Sequence, residues 1–229
     1  MSFIAERMSR IDASGIRKVF ALAANMKDPI NLSIGQPDYD VDELVKDEAV
    51  KAIRAGRNSY TQTWGIEPLR AACSEYYQRY YGVPLENVMV TSGVSGGLFL
   101  ALMATVDAGD EVLFADPYFV MYPHIVSLLG GKPVMIDTYP DFKLTVAKIE
   151  AVISPRSKIL IVNSPSNPTG TTLNAAELQA IADLCAKHDL LLISDEIYER
   201  LYYDGAPASM AGRCKNVLVL NGLSKTAGM

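Results

Sequence analysis

Lys158-Ile159-Leu160-Ile161-Val162, running into Asn163-Ser164-Pro165-Ser166-Asn167-Pro168-Thr169-Gly170, sets the architecture of this chain. The first five residues are mostly apolar on both faces, as a strand covered by helices on both sides must be. The Pro- and Gly-rich stretch stops that strand. Beyond it, Leu178, Ile181, Ala182 and Cys185 recur at three- and four-residue spacing and form one apolar stripe of a helix. Asn174 with Glu177 has the form of a capping box at its start. A second apolar run, Leu190 to Ser194, then follows. Strand, helix and strand in this succession form a right-handed crossover unit of a parallel sheet.

The same alternation continues on either side. Further strands are predicted at Asn87 to Thr91, Glu111 to Ala115, Pro133 to Ile136 and Val217 to Leu220. Pro68 marks a helix start, with Leu69, Ala72, Cys73, Tyr76 and Tyr80 as its apolar face. Gly130-Gly131 closes a helix that begins near Tyr118. The expected fold class is α/β, a three-layer sandwich around a mostly parallel sheet, whose strand order the pattern does not specify. Residues 1–40, including Asn31-Leu32-Ser33-Ile34-Gly35-Gln36-Pro37-Asp38, read as an arm entering a main domain over 41–229.

With 229 residues, 49% hydrophobic and 21% charged, the chain can bury a substantial core and is neither disordered nor fibrous. The formal charge of -5 gives no footprint for nucleic acid. No apolar run is long enough to cross a bilayer, and charge arrives too early at the N-terminus for a secretory signal. Cys73, Cys185 and Cys214 are odd in number and widely spaced, which fits buried thiols in a reducing cytoplasm. With only His124 and His188, a histidine-rich metal site is not expected.

Open α/β sheets bind ligands beyond the carboxyl ends of their strands, so the polar residues there carry the functional information. Thr91-Ser92-Gly93-Val94-Ser95-Gly96-Gly97 precedes a helix containing Leu98, Leu100, Ala101 and Leu102. It suits an anion cradle of backbone N–H groups, or a tight turn that needs glycine for steric reasons. It is neither GxGxxG nor GxxxxGK[ST], so the usual nucleotide fingerprints fail. In the loop after Val162, Asn167 is either a rigidly held amide facing a ligand or part of an Asx-turn. Asp195 follows Leu190-Leu191-Leu192-Ile193-Ser194. A carboxylate there needs a partner, and a protonated ring nitrogen would serve. A magnesium site competes but lacks a phosphate-binding lysine motif. Tyr198 lies three residues on, while Glu196 and Glu199 read as solvated or structural. Lys225 follows the last strand among Gly222, Ser224 and Gly228, either as a surface lysine or as an amine with a lowered pKa acting as nucleophile and then base.

Taken in order, Ile34-Gly35-Gln36-Pro37-Asp38, Tyr60-Thr61 with Gly65 and Leu69-Arg70, Asn167-Pro168-Thr169-Gly170, Ser194-Asp195-Glu196-Ile197-Tyr198 and Ser224-Lys225 resemble the pyridoxal-phosphate-dependent aminotransferases of class I and II, the aspartate-aminotransferase-like group of fold type I. The resemblance runs from about residue 30 to the end. It implies pyridoxal 5′-phosphate as cofactor, amino acids and 2-oxo acids as substrates, and a homodimer with shared active sites. By that likeness Lys225 is the Schiff-base lysine and proton shuttle, and Asp195 the partner of the pyridine nitrogen. Asn167 and Tyr198 hydrogen-bond the phenolic oxygen. The backbone at Val94 and Ser95 cradles the phosphate, and Phe119 stacks on the ring. Gly35 lines the substrate carboxylate pocket, and Tyr60 reaches the phosphate of the neighbouring subunit.

Two departures stand out. Gly222 occupies a place where many members carry a phosphate-contacting serine. The family's phosphate-binding arginine, eight residues after the lysine, would fall beyond Met229, as would the small C-terminal domain with its substrate-carboxylate arginine. The expectation is therefore an incomplete large cofactor-binding domain over 41–229, residues 1–40 giving the arm and the start of the small domain. The 229 residues alone should then be inactive. A pyridoxal-phosphate lyase on the same scaffold and a non-catalytic regulatory homologue are the alternative functions.

Overall fold

The computed structural model describes residues 3–11, 35–203 and 205–229. Most of the predicted arm, with Asn31 to Ile34, lies outside the described residues. The ordered elements are α1 (Glu43–Arg54), α2 (Glu67–Tyr81), α3 (Gly93–Thr105), β1 (Glu111–Asp116), α4 (Met121–Leu129), β2 (Lys132–Asp137), α5 (Val146–Glu150), β3 (Ser157–Asn163), α6 (Ala175–Lys187), β4 (Leu191–Asp195), β5 (Val217–Leu220) and α7 (Leu223–Thr226). A short 3₁₀ turn spans Glu6–Arg10.

The strands form one parallel sheet in the order β2-β1-β3-β4-β5. Period-two alternation explains the three layers. Val112 and Phe114 of β1, Ile159 and Ile161 of β3 and Ile193 of β4 face one core with Leu98 and Leu102 of α3 and Ile125 and Val126 of α4. Their neighbours Leu113, Leu160, Val162 and Leu192 face the other core, with Ile149 of α5 and Leu178, Ile181, Ala182 and Cys185 of α6. Each Val, Leu, Ile or Phe among them contributes about 1.5–3 kcal/mol on burial. The crossover from β1 to β2 therefore runs on one face, and those from β2 to β3 and β3 to β4 on the other. The chain reverses direction between β1 and β3, which is where such sheets open a crevice.

Local signals act as their chemistry dictates. Asn174 accepts from the N–H groups of Ala176 and Glu177, and the Glu177 carboxylate accepts from the Asn174 N–H, which completes the capping box of α6. Gly130 takes the left-handed conformation (φ 87°) that ends α4. That helix starts at Met121, not Tyr118.

Two expectations fail. Asn87 to Thr91 is not a strand: Met89 and Val90 are largely exposed, and the backbone bond there runs from Val90 N–H to Trp64 C=O. No strand lies beside it among the described residues, and an extended run becomes a strand only with a partner. On α2 the anticipated apolar face is turned largely to solvent, with Leu69, Ala72 and Tyr80 exposed. Tyr77 is the buried residue instead, because its hydroxyl is drawn to the buried carboxylate of Glu196. Of the cysteines only Cys185 is fully buried; Cys73 and Cys214 are half-buried, and all three are free.

Candidate active site

The register of the sheet brings the site together. Asn163 pairs with Asp195 across β3 and β4, and Asp195 with Leu220 across β4 and β5, so three strands end in one row. Asn167, Tyr198 and Lys225 each follow that row by a few residues.

Asp195 is almost wholly buried. Its Oδ2 accepts from the Tyr122 hydroxyl at 2.7 Å and its Oδ1 from the Ile197 N–H at 3.3 Å. Burial pushes its pKa up, against the lowering effect of those two donors. No cation is paired with it among the described residues. Tyr122 is itself held well above the ordinary phenol value by burial, reinforced by the Asp195 charge, so it remains a donor. Tyr122 escapes a reading of the sequence because it sits among apolar neighbours in α4 and has the look of a core aromatic.

Asn163 is the second residue that the motifs leave unassigned. Its Nδ2 donates to the Asp195 carbonyl at 2.8 Å, and its Oδ1 accepts from the Asn167 N–H at 2.7 Å. It thereby pins the loop after β3 to the end of β4. Held in this way, Asn167 donates from Nδ2 to the Tyr198 hydroxyl at 3.1 Å. The Tyr198 pKa is raised chiefly by burial, while the Asn167 bond lowers it.

Lys225 lies in α7, the single turn after β5. Its Nζ donates to the Gly35 carbonyl at 2.8 Å and stands 5.8 Å from the centre of the Tyr198 ring. The Tyr39 hydroxyl donates to the carbonyls of Lys225 and Thr226, so residues 35–39 lie along this turn. Gly35 thus meets the lysine through its carbonyl.

In the 93–97 segment glycine is required on steric grounds. Gly93 has φ +68°, a conformation that favours glycine. At Gly97 a Cβ would come within 3.3 Å of Leu220 Cδ2 and 3.2 Å of Thr91 Oγ1, so the start of α3 is packed onto the end of β5. Ser92 makes no side-chain cap, which leaves the N-terminus of this 13-residue helix, with Val94 and Ser95 in its first turn, open to an anion. Val94 approaches Gly222: a Cβ there would lie 3.7 Å from Val94 Cγ2 and 3.3 Å from Ile197 Cδ1. Phe119 meets Tyr122 edge to face at 5.6 Å. Tyr60 is fully exposed and makes no hydrogen bond or ring contact among the described residues. Glu196 and Glu199 are both buried, the structural alternative of their two readings.

The ends of β3, β4 and β5 and the start of α3 thus carry an uncapped helix N-terminus, a buried carboxylate lacking a cation among the described residues, an amide–phenol pair and a primary amine. Residues 27–229 match the family described as aminotransferase class I and II. Aromatic-amino-acid aminotransferase 2 of Thermococcus litoralis is 37% identical over 235 residues, which cover 99% of this chain and 60% of that protein. The aspartate aminotransferase of Pyrococcus abyssi is 38% identical, with the same 99% and 60% coverage. The crystal structure of the aspartate aminotransferase from Rhizobium meliloti superposes with a TM-score of 0.95 at 37% identity, covering 100% of this chain and 61% of that one. The chain thus spans about 60% of the length of these relatives. On this match of sequence and of fold, the chain belongs to the class I and II aminotransferases.

Proposed function

We propose that the whole protein is an aminotransferase of amino acid metabolism, moving an amino group between an L-amino acid and a 2-oxo acid with pyridoxal 5′-phosphate as cofactor. The observation that carries this reading is Asp195, a buried carboxylate with no cationic partner among the described residues, at the end of β4 beside the strand that leads into Lys225. A protonated pyridine nitrogen supplies the missing charge. The other donors fit the rest of that molecule: the open N-terminus of α3 suits a phosphate, and Asn167 with Tyr198 suits a phenolic oxygen.

When bound, the cofactor supplies an electrophilic carbon for amines and a ring that takes up the electron pair left when a substrate Cα proton departs. The chain's own residues do the rest. The Val94 and Ser95 backbone would hold the phosphate, Phe119 would cover the ring, and ionised Asp195 would keep the proton on the ring nitrogen. Tyr122 supports that ionised state. The Lys225 Nζ, which here donates to the Gly35 carbonyl, would be the group that anchors the cofactor's electrophilic carbon, and as a free amine it would take the substrate Cα proton and return it. Gly35 would face the substrate carboxylate.

In this reading residues 1–40 form the arm and the start of the small domain, and 41–229 the large cofactor-binding domain. Tyr60, exposed here, would reach the phosphate of a second copy in a homodimer, and the cytoplasm is the compartment of action. The two relatives described above are aminotransferases of aromatic amino acids and of aspartate, so both donor classes belong in the assay. Whole protein mixed with each donor should lose its visible absorbance and yield pyridoxamine phosphate with the matching 2-oxo acid. Ammonia or a cleaved side chain without pyridoxamine phosphate would identify a lyase. Absence of cofactor absorbance after reconstitution would leave the regulatory alternative and refute the assignment.

A further inference from the structure

Beside the crevice, a carboxylate with no part in the proposed chemistry is more completely hydrogen-bonded than Asp195. Glu196 is 2% exposed. Its Oε1 accepts from the Ser194 hydroxyl and the Met210 N–H, both at 2.8 Å. Its Oε2 accepts from the Ser209 hydroxyl at 2.8 Å and the Tyr77 hydroxyl at 3.3 Å. Four donors converge on one side chain. The Tyr77 oxygen in turn accepts from Asn221 Nδ2 at 3.1 Å, and Asn221 Oδ1 accepts from the Gly222 N–H at 2.7 Å.

The direction of the bonds at the Asn221 end of this series is forced. A backbone N–H can only donate, so the amide oxygen of Asn221 must face Gly222 and its NH2 must face Tyr77. A phenol that accepts from this NH2 has its single proton free for Glu196, whose pKa burial pushes up against the lowering effect of its four donors. The backbone repeats the connection, since the Glu196 N–H donates to the Leu220 carbonyl at 2.8 Å. Residues 220 and 221 are therefore tied to residue 196 by two routes. Gly222 is the N-cap of the turn that carries Lys225, and Asp195 precedes Glu196 directly.

We propose that Glu196 is a positioning residue for Lys225, acting through Tyr77 and Asn221 to hold the amine at a set distance from Asp195. The inference deepens the aminotransferase reading and rests on it for its kinetic consequence. Its structural consequence can be read without cofactor. The Tyr77 ring also packs against Tyr76 and Tyr81, so removal of its hydroxyl alone leaves the apolar contacts in place.

The test is Tyr77→Phe in the whole protein, with Tyr76→Phe as control, because the Tyr76 hydroxyl goes to Glu199 and Arg200. Amide hydrogen exchange on the cofactor-free protein should show about five- to tenfold faster exchange over 221–226, the equilibrium worth of one hydrogen bond. Strands β3 and β4 should keep their protection. In the loaded enzyme kcat should fall by about the same factor with KM unchanged, since only the lysine's alignment is loosened. Tyr76→Phe should leave both readouts as in the parent. Unchanged exchange over 221–226, a uniform rise across the sheet, or a raised KM at constant kcat would each overturn the proposal. If Tyr77→Phe does not fold, Asn221→Ala interrupts the same series at its other end and is read identically. Loss of all activity in the parent enzyme would refute the aminotransferase reading but leave the exchange result to decide the positioning role.

Discussion

Replacing Tyr122 with Phe isolates the electrostatics of the site. The Tyr122 hydroxyl is the nearer of the two donors on the Asp195 carboxylate, at 2.7 Å against 3.3 Å for the Ile197 N–H. Without it a buried anion keeps one long hydrogen bond. Loss of a hydrogen bond to a charged group costs about 1.5–3 kcal/mol, so cofactor-free Tyr122→Phe should lose about 2 kcal/mol wherever Asp195 is ionised. The pH dependence has a definite sign. Burial raises the folded-state pKa of Asp195 above its ordinary 3.8, so its contribution to stability is complete below that value and is lost as pH rises through the folded value. Tyr122→Phe removes a lowering influence and raises the folded value further. The stability gap between parent and variant should therefore widen as pH rises. Tyr122 does not ionise in this range, because its own pKa is pushed well above that of a free phenol. Urea midpoints of the cofactor-free whole protein, followed from the ordinary carboxylate value of 3.8 upward, measure the gap. A gap that is constant or narrows with rising pH would refute the argument. Reconstitution should narrow it, because the ring nitrogen gives Asp195 a charged partner.

Lys225→Ala should lower kcat by about 10²–10⁴-fold, the range for loss of a positioned proton-transfer group; a stopped-flow half-reaction slowed less than tenfold would remove Lys225 from the chemistry. Asn174→Ala should destabilise α6 by about 1 kcal/mol, seen as a lower urea midpoint with unchanged cofactor affinity. Glu111, buried at the amino end of β1, is held down to about 2 by the Ser154 hydroxyl, then Lys132 and Ser157. Its contribution is present above the ordinary 4.5 and is lost as pH falls toward about 2. The instability of Glu111→Gln, measured by urea denaturation, should accordingly shrink as pH is lowered through that window.

The strands from β1 onward were legible because each is a short apolar run between turn residues, and the capping box of α6 was legible because it is local. Asn87 to Thr91 has the same composition, but a strand is a relation between two segments and this one has no partner among the described residues. The face of α2 was misread because spacing ranks tyrosine by its ring, whereas Tyr77 is placed by its hydroxyl. Asp195, Asn167, Tyr198 and Lys225 stand out in the sequence as polar residues at strand ends, and the structure places them at or just beyond the ends of β3, β4 and β5. Tyr122 and Asn163 were not: one looks like core and the other like a turn. The bond from Lys225 to the Gly35 carbonyl spans 190 positions, and no periodicity encodes it.

The row formed by Asn163, Asp195 and Leu220 makes the sheet a ruler. Neighbouring strands lie about 4.8 Å apart, so the departure points of three site loops span about 10 Å whatever those loops contain. The size of ring that the crevice can grip is thus written into backbone pairing, which point substitutions scarcely alter. Only the contacts beyond the row are free to vary. On the aminotransferase proposal, a lineage built on this sheet would exchange one amino acid substrate for another through surrounding segments while its hold on the cofactor stays constant.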